Sequence, residues 1–395
     1  MNRISKTLLL LLLFSAFSIC AKAEGPPVTV VTGPNAPKLE LFAARELAAQ
    51  FEKLFQAKVS IIEKAPSEAK NIILIGSPKT NPAITEKDWP EGISDQGHLL
   101  KSSGEKLIVG GGSPVATLWA VYELGHSFGI RYLLHGDFQP IDEPEFTLAG
   151  FDTVLEPDMR VRAWNEFDGG PVSQESWGLA DHKKVLAQLA KLKFNQIGLD
   201  IQRAKNGEEF DVSGDTAGRS VFDGAKVFDN PDFIGIDSNE ERLAAGMELN
   251  KGIKKTARKL GMTVVESGET TDVKIETLSL GQAKGGMLPQ FSTSKLPLYL
   301  TAIRNGKKDG FAVKCWIPGN LNADVYYLSR ASFDSKITPA QTLEDLVTPI
   351  CGEGVAERLA AGFAAIEKVS ALIEKEDPNF AVPDPKMFME HYTSS

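Results

Sequence analysis

The sequence predicts an α/β protein in three parts. A small N-terminal α/β sandwich domain over residues 26–148 precedes an incomplete (β/α) TIM-like barrel over 157–335, and a helical C-terminal region over 336–395 closes the chain. Three observations predict this. From residue 28 onward, short β-prone runs alternate with runs of helical period. The stretch 159–202 reads strand, polar loop, helix, strand, with carboxylates where the strands end, which is how a (β/α) barrel opens. Beyond residue 338 the periodicity is helical.

The first 23 residues stand apart from the fold and read as a signal peptide. Arg3 and Lys6 form a basic start, 7–19 a short apolar run, and Ala21-Lys22-Ala23 a small-residue cleavage site. The apolar run is shorter than the ~20 residues of a membrane span. Ile19 is not the small residue a lipobox wants before Cys20, which favours cleavage near Ala23 over a lipid anchor at Cys20. Cleavage removes three cations (Arg3, Lys6, Lys22) and no acids, moving the net charge from −9 to −12. So acidic a chain gains nothing electrostatically from nucleic acid or an anionic membrane. No later apolar run reaches spanning length, and the expected product is exported, periplasmic or secreted. Oligomeric state stays open, a homodimer included.

In the first part, 28–32 is a strand, and 37–56 a helix with Leu39, Phe42, Ala43, Leu47, Phe51 and Leu54 on one face. Strands follow at 58–62, 71–75 and 106–109, the last pairing with 97–101 across Ser102-Ser103-Gly104. Gly110-Gly111-Gly112 leads into a helix over 115–128, with Ser113 as cap and Pro114 in its first turn. A phosphate loop would need a Gly-Lys-Ser/Thr ending that is absent, so the glycines read as close strand–helix packing. A strand over 130–134 follows, and 139–155 reads as a linker.

The second part opens with strand 159–164, a helix over 181–193 and strand 194–201. Residues 203–237 read as a long loop, 238–259 as a helix and 262–266 as a strand. Strand 273–278, a helix over 294–305 and strand 310–317 complete the series. Five strands thus fall within 159–317, whereas an eight-unit barrel takes about 250 residues. Three strand–helix units are missing, the shortage falls between Glu266 and Asp272, and a remnant of this kind leaves open sheet edges. At the C-terminus, a helix runs from Thr338-Pro339 to Leu346. A longer one over 354–376 carries Leu359, Phe363, Ile366, Val369 and Ile373 as a stripe for core packing.

Several stretches resemble a known family. Leu74-Ile-Gly-Ser-Pro78, Ser94-Asp-Gln-Gly97 and Gly110-Gly-Gly-Ser-Pro-Val-Ala-Thr-Leu-Trp-Ala-Val-Tyr-Glu-Leu124 are similar to the α/β domain that precedes the barrel of bacterial α-glucuronidases. A comparable domain precedes the barrel of β-N-acetylhexosaminidases. Residues 160–200 resemble the start of the glycosidase barrel, and 319–330 its end. The resemblance implies an exported glycoside hydrolase acting on uronic-acid-substituted polysaccharide fragments such as xylan oligosaccharides, with a carbohydrate substrate and no cofactor. The family draws its catalytic carboxylates largely from the middle and later strands, where this chain departs from the pattern.

Glycoside hydrolysis needs two carboxyl groups, ~5 Å apart for retention or ~6.5–9.5 Å for inversion. At or near strand ends, the candidates are Glu166, Asp200, Glu266 and Glu276, with Asp168 as a substrate contact. Trp164, Trp177 and Trp316 carry indole faces that suit a pyranose. Arg160 and Arg162, placed by alternation on one strand face, could hold a uronate carboxylate bidentately. Each also has an ordinary reading, as a cap, a solvated face or a core anchor. The five histidines (98, 126, 135, 182, 391) lack metal-ligand spacing, so no metal is predicted. Cys315 and Cys351 could pair or could be two small buried residues. A non-catalytic carbohydrate-binding remnant and an exported interaction module are the alternatives to an enzyme.

Overall fold

The structure is a computed structural model that describes residues 25–165, 174–199, 221–224, 230–266, 272–280, 291–315 and 321–376. Its first sheet has the order β2-β1-β3-β5-β4-β8. Strands β1 (Pro27–Val31), β2 (Lys58–Ile62), β3 (Ile72–Ile75) and β5 (Lys106–Gly111) run parallel. Strand β4 (His98–Ser103) folds back antiparallel on β5 as the hairpin the sequence predicts. Helix α1 (Lys38–Phe55) lays Ala43, Ala44, Leu47 and Phe51 into the core and stops at Gln56, which adopts a left-handed φ of 53°. Helix α2 (Pro114–Ser127) starts as expected: the Ser113 hydroxyl accepts the Ala116 N–H at 3.3 Å. A side chain at Gly111 would collide with the backbone at Ala116 and Thr117, so the triple glycine is a packing requirement.

β6 (Arg131–Leu133) is the strand expected over 130–134, and it pairs with β7 (Gly136–Phe138) in a small hairpin; β7, and one further short strand, were not legible as such. β8 (Asp152–Leu155), in the stretch read as linker, joins the first sheet along β4. Ser102 anchors it, its hydroxyl donating to Leu148 O at 2.7 Å and accepting from Phe151 N at 3.0 Å.

The second sheet contains five parallel strands in the order β11-β10-β9-β13-β12. These are β9 (Val161–Asn165), β10 (Gln196–Leu199), β11 (Thr263–Glu266), β12 (Ile275–Leu280) and β13 (Gly310–Cys315). Helices α3 (Leu179–Lys191), α4 (Asn239–Lys259) and α5 (Leu296–Asn305) connect them. The last strand, β13, pairs with the first, β9, as the final strand of a barrel does. Strands β11 and β12 have no further partner among the described residues, so the sheet is an open arc and not a closed barrel. In sequence these two edge strands follow one another, β11 ending at Glu266 and β12 beginning at Ile275.

Helix α6 (Asn322–Ala331) follows β13 and was missed by periodicity, because it is buried nearly all round and mixes polar with apolar residues. Val325, Tyr326, Tyr327, Leu328 and Ala331 are all buried, and burial fixes a helix whose Asn, Asp and Tyr content gives it little propensity. Helix α7 (Pro339–Cys351) begins with a reciprocal capping box between Thr338 and Gln341. Helix α8 (Val355–Glu376) departs from the expected continuous core stripe. Ala356 is buried and Phe363 stacks on Phe291 at 4.0 Å, but Leu359 and Val369 are exposed. Cys315 and Cys351 form no disulfide: Cys315 is buried and accepts Gln174 Nε2 at 3.3 Å, and Cys351 is exposed.

One apolar core runs from the α1–α2 side of the first sheet to the helix-covered side of the second. A buried charged seam crosses it. Glu123 of α2 receives Lys193 Nζ at 2.5 Å and Arg330 Nη1 of α6 at 2.8 Å. Burial alone would raise the Glu123 carboxyl, but Arg330 and Lys193 outweigh it and hold the group well below the carboxylate range. Beside it, Arg131 meets Asp345 of α7 at 2.9 Å, and the Tyr326 hydroxyl donates to Asp345 at 2.6 Å. Burial pushes His126 down to about 4. Its neutral ring bonds the Tyr326 oxygen at 2.6 Å.

Candidate functional site at the open face of the second sheet

In a parallel ladder, residues in register share a face. The register therefore sorts the second sheet into two sides. Trp164, Ile197, Leu199, Leu278, Leu280, Phe311, Val313 and Cys315 face the helices and belong to the core. The opposite side carries Ala163 and Asn165 from β9, Gln196 and Gly198 from β10, and Thr263 and Val265 from β11. Thr277 and Ser279 of β12, with Ala312 and Lys314 of β13, complete it. This second side mixes small and β-branched apolar residues (Val161, Ala163, Val265, Ala312) with polar ones, and Ala163 and Ala312 are buried. Toward the C-terminal strand ends it presents Asn165, Val265, Ser279 and Lys314, half-buried or exposed. A side chain at Gly198 would run into the Asn165 amide oxygen, so glycine there keeps the amide in place. An amide, an ammonium and a hydroxyl on one concave face suit a ligand rich in hydroxyls and bearing negative charge.

Glu166, Asp168, Asp200 and Trp316 lie outside the described residues. Trp177 sits half-buried between β9 and α3, 5.6 Å from His182, with its carbonyl accepting Asn230 Nδ2 at 3.0 Å. That places it on the connection leaving the C-terminal end of β9.

The remaining candidates are placed away from the polar side. Arg160 precedes β9 and is exposed, while Arg162 is fully buried. The Arg162 guanidinium donates to Lys193 O at 2.7 Å, Met159 O at 2.6 Å and Gln96 Oε1 at 3.0 Å. It also lies over Trp119 and Phe333 at 4.9 Å each, and burial pushes it down to about 9. Trp164 is buried edge-on to Phe194 at 6.1 Å, on the core side. Glu266 faces the helices and accepts Lys254 of α4 at 2.7 Å. Glu276 lies near the N-terminal end of β12 and pairs with Lys308. The physical reason is common to Arg162, Trp164, Glu266 and Glu276. Alternation shows which residues share a face, but which face is concave depends on strand pairing.

Sequence reasoning passed over Asn165, Lys314 and one carboxyl, Asp324, in the first turn of α6. Asp324 is fully buried, its Oδ2 accepting the Ser292 N–H at 3.1 Å. Burial, opposed by that hydrogen bond and assisted by Glu367, pushes it up to about 7. The available signal was an acid placed shortly after the end of a strand. Among the described residues, no group of three or more His, Cys, Asp and Glu side chains could hold a metal ion.

No protein-family model and no curated protein matches the chain. Solved structures do. A family GH115 4-O-methyl-α-glucuronidase, BtGH115A, with specificity for decorated arabinogalactans, matches with a TM-score of 0.54 and 12% identity. The match covers 94% of this chain and 67% of that one. A GH138 enzyme targeting pectin rhamnogalacturonan II matches at TM-score 0.38 and 14% identity, over 81% of this chain and 42% of that one. The Streptomyces plicatus N-acetyl-β-hexosaminidase matches at TM-score 0.34 and 10% identity, over 68% and 43%. The likeness to BtGH115A supports the fold: a mixed α/β chain with parallel sheets, similar in architecture to a structure of the glycosidase TIM-barrel type, with no closed barrel among the described residues.

Proposed function

We propose that the chain is an exported glycoside hydrolase of the α-glucuronidase type, acting on uronic-acid-substituted polysaccharide fragments such as xylan oligosaccharides. The observation that carries this reading is the polar side of the second sheet. An all-parallel sheet of α/β type ordinarily buries both faces under apolar groups. Here one side bears Asn165, Lys314 and Ser279 at the strand ends, where barrel enzymes bind their substrates. Lys314 suits a uronate carboxylate, Asn165 and Ser279 suit sugar hydroxyls, and the Trp177 indole suits a pyranose face. Hydrolysis by paired carboxylates would draw on Glu166, Asp168 and Asp200, which end or follow β9 and β10 in the sequence.

A second reading, a carbohydrate-binding remnant without catalysis, is favoured by one observation. Glu266 and Glu276 are each paired with a lysine on the side away from the polar face. Release of uronic acid from substituted xylan oligosaccharides decides between the readings. Release that is lost in Glu166→Gln and Asp200→Gln supports the hydrolase. Binding without release, weakened by Lys314→Ala and Trp177→Ala, supports the remnant. Neither release nor binding would sink both.

A further inference from the structure

Asp324 sits between the starts of two helices. Helix α6 begins at Asn322 after β13, and α5 begins at Leu296 after β12. The carboxyl therefore lies on the side of the sheet where its strands end. One oxygen holds the Ser292 amide, and Oδ1, although buried, has no hydrogen-bond partner among the described residues. An unsatisfied buried polar atom is costly because it gives up its hydrogen bonds to water. An ionised one with no cation costs more. The titratable neighbour that acts on Asp324 among the described residues is another acid, Glu367 of α8. Glu367 in turn accepts the Thr293 hydroxyl at 2.9 Å and the Ser294 N–H at 3.1 Å. Two carboxyls, one from α6 and one from α8, thus grip three consecutive residues at the entrance of α5.

We propose that Asp324 is a positioning residue at the strand ends: it holds Ser292 through one oxygen, keeps a proton on the other, and so fixes the 292–294 turn against α6 without burying a charge. Loss of that proton places a second negative charge beside Glu367 and loosens the 292–294 turn. The role depends on the proposed function only for what the face binds. The linkage has a definite sign. Asp324 is raised from 3.8 to about 7 in the folded chain. Its contribution to stability is therefore fully present below the unfolded value and is lost as pH rises through about 7.

The test follows binding of a uronic-acid-substituted xylo-oligosaccharide and the thermal unfolding midpoint between pH 5.5 and 8.5, for the full chain and for Asp324→Asn and Asp324→Ala. These pH limits bracket the value of about 7. In the unaltered protein, apparent affinity is expected to fall by about tenfold for one pH unit above that value, as the protonated fraction falls. The unfolding midpoint should instead fall as pH rises toward about 7 and level off above it. Asp324→Asn, which is uncharged and still accepts from Ser292, should keep the affinity and midpoint seen at low pH and remove both inflections. Asp324→Ala should weaken binding at every pH. Inflections that persist in Asp324→Asn would overturn the role. If no oligosaccharide binds, the function fails, while the midpoint profiles of the unaltered protein and Asp324→Asn still decide for or against the proton-holding role.

Discussion

The two sheets of this protein are built on opposite plans. In the first, β3 and β5 are buried on both sides. Ile73, Ile75, Leu107 and Val109 face α1 and α2, while Ile72, Leu74 and Ile108 face a second apolar cluster with Leu99 and Ile84. That is the usual state of a parallel sheet, and its strands read as continuous apolar runs. In the second sheet the bulky core side chains of β9 and β13 (Trp164, Phe311, Val313) lie on the helix side, and the other side carries Val161, Ala163 and Ala312 and then, at the strand ends, Asn165 and Lys314. The difference separates a sheet that holds the molecule together from one that offers a surface at its strand ends. Packing accounts for every position in β3. It does not account for Asn165 at the end of β9.

The largest effect is expected where the sheets are joined. Glu123 compensates two buried cations, Lys193 and Arg330. Glu123→Ala leaves both uncompensated, and breaking a buried pair in this way costs about 3–5 kcal/mol. A chemical-denaturation midpoint measures the loss, and a change under about 1 kcal/mol would mean that the seam is dispensable. The same carboxylate sets an acid limit. Glu123 and Asp345 are both depressed below their ordinary values of 4.5 and 3.8. Their contribution is present above those values and is lost as pH falls below them. Unfolding on acidification should therefore set in below about 4.5, and Glu123→Gln should flatten that limb. His126, which burial pushes from 6.5 down to about 4, adds a shallower limb: stability should decline as pH falls from about 6.5 toward 4, and His126→Gln should remove that part.

Next in size is a paired comparison along single strands. In β3, Ile73→Ala and Leu74→Ala should each cost about 2–5 kcal/mol, because neighbouring positions fill two different cores. In β9, Trp164→Ala should cost about 3–5 kcal/mol, since its side chain is buried against Phe194. At its neighbour Ala163, equally buried but on the other side, serine adds a hydroxyl to a closed position, and a smaller cost of about 1–3 kcal/mol is expected. Equal costs at 163 and 164 would show that the two sides of the second sheet are packed alike, as in the first.

These contrasts explain what the sequence could disclose. Apolar runs such as Ile72–Ile75 announce a strand by composition, and the amphipathic period of α1 announces its buried face. The five strands of the second sheet and the gap after Glu266 were legible for the same reason. The identity of the concave side was not, because it follows from β13 pairing with β9 across about 150 residues of chain. Helix α6 was hidden too: a segment buried on all sides has no period to read. Asp324 went unremarked with it, since its significance lies in Ser292 and Glu367, which the fold brings together from two other elements.

The smallest effect tests the polarity of the second sheet most directly. Glu266 ends β11, where a barrel enzyme would keep a catalytic acid, yet its carboxylate turns to Lys254 on the helix side. The pair is partly exposed, with 45% of the Glu266 side chain open to solvent. Screening limits such a pair to about 0–1 kcal/mol. Glu266→Gln should therefore lower stability by no more than that, and less in high salt. It should also leave oligosaccharide binding unchanged, whereas Lys314→Ala, on the other side of the same sheet, should weaken it. If Glu266→Gln abolished turnover while Lys314→Ala did nothing, the working side would be the helix-covered one. The division of the sheet into a core side and a ligand side would then be reversed.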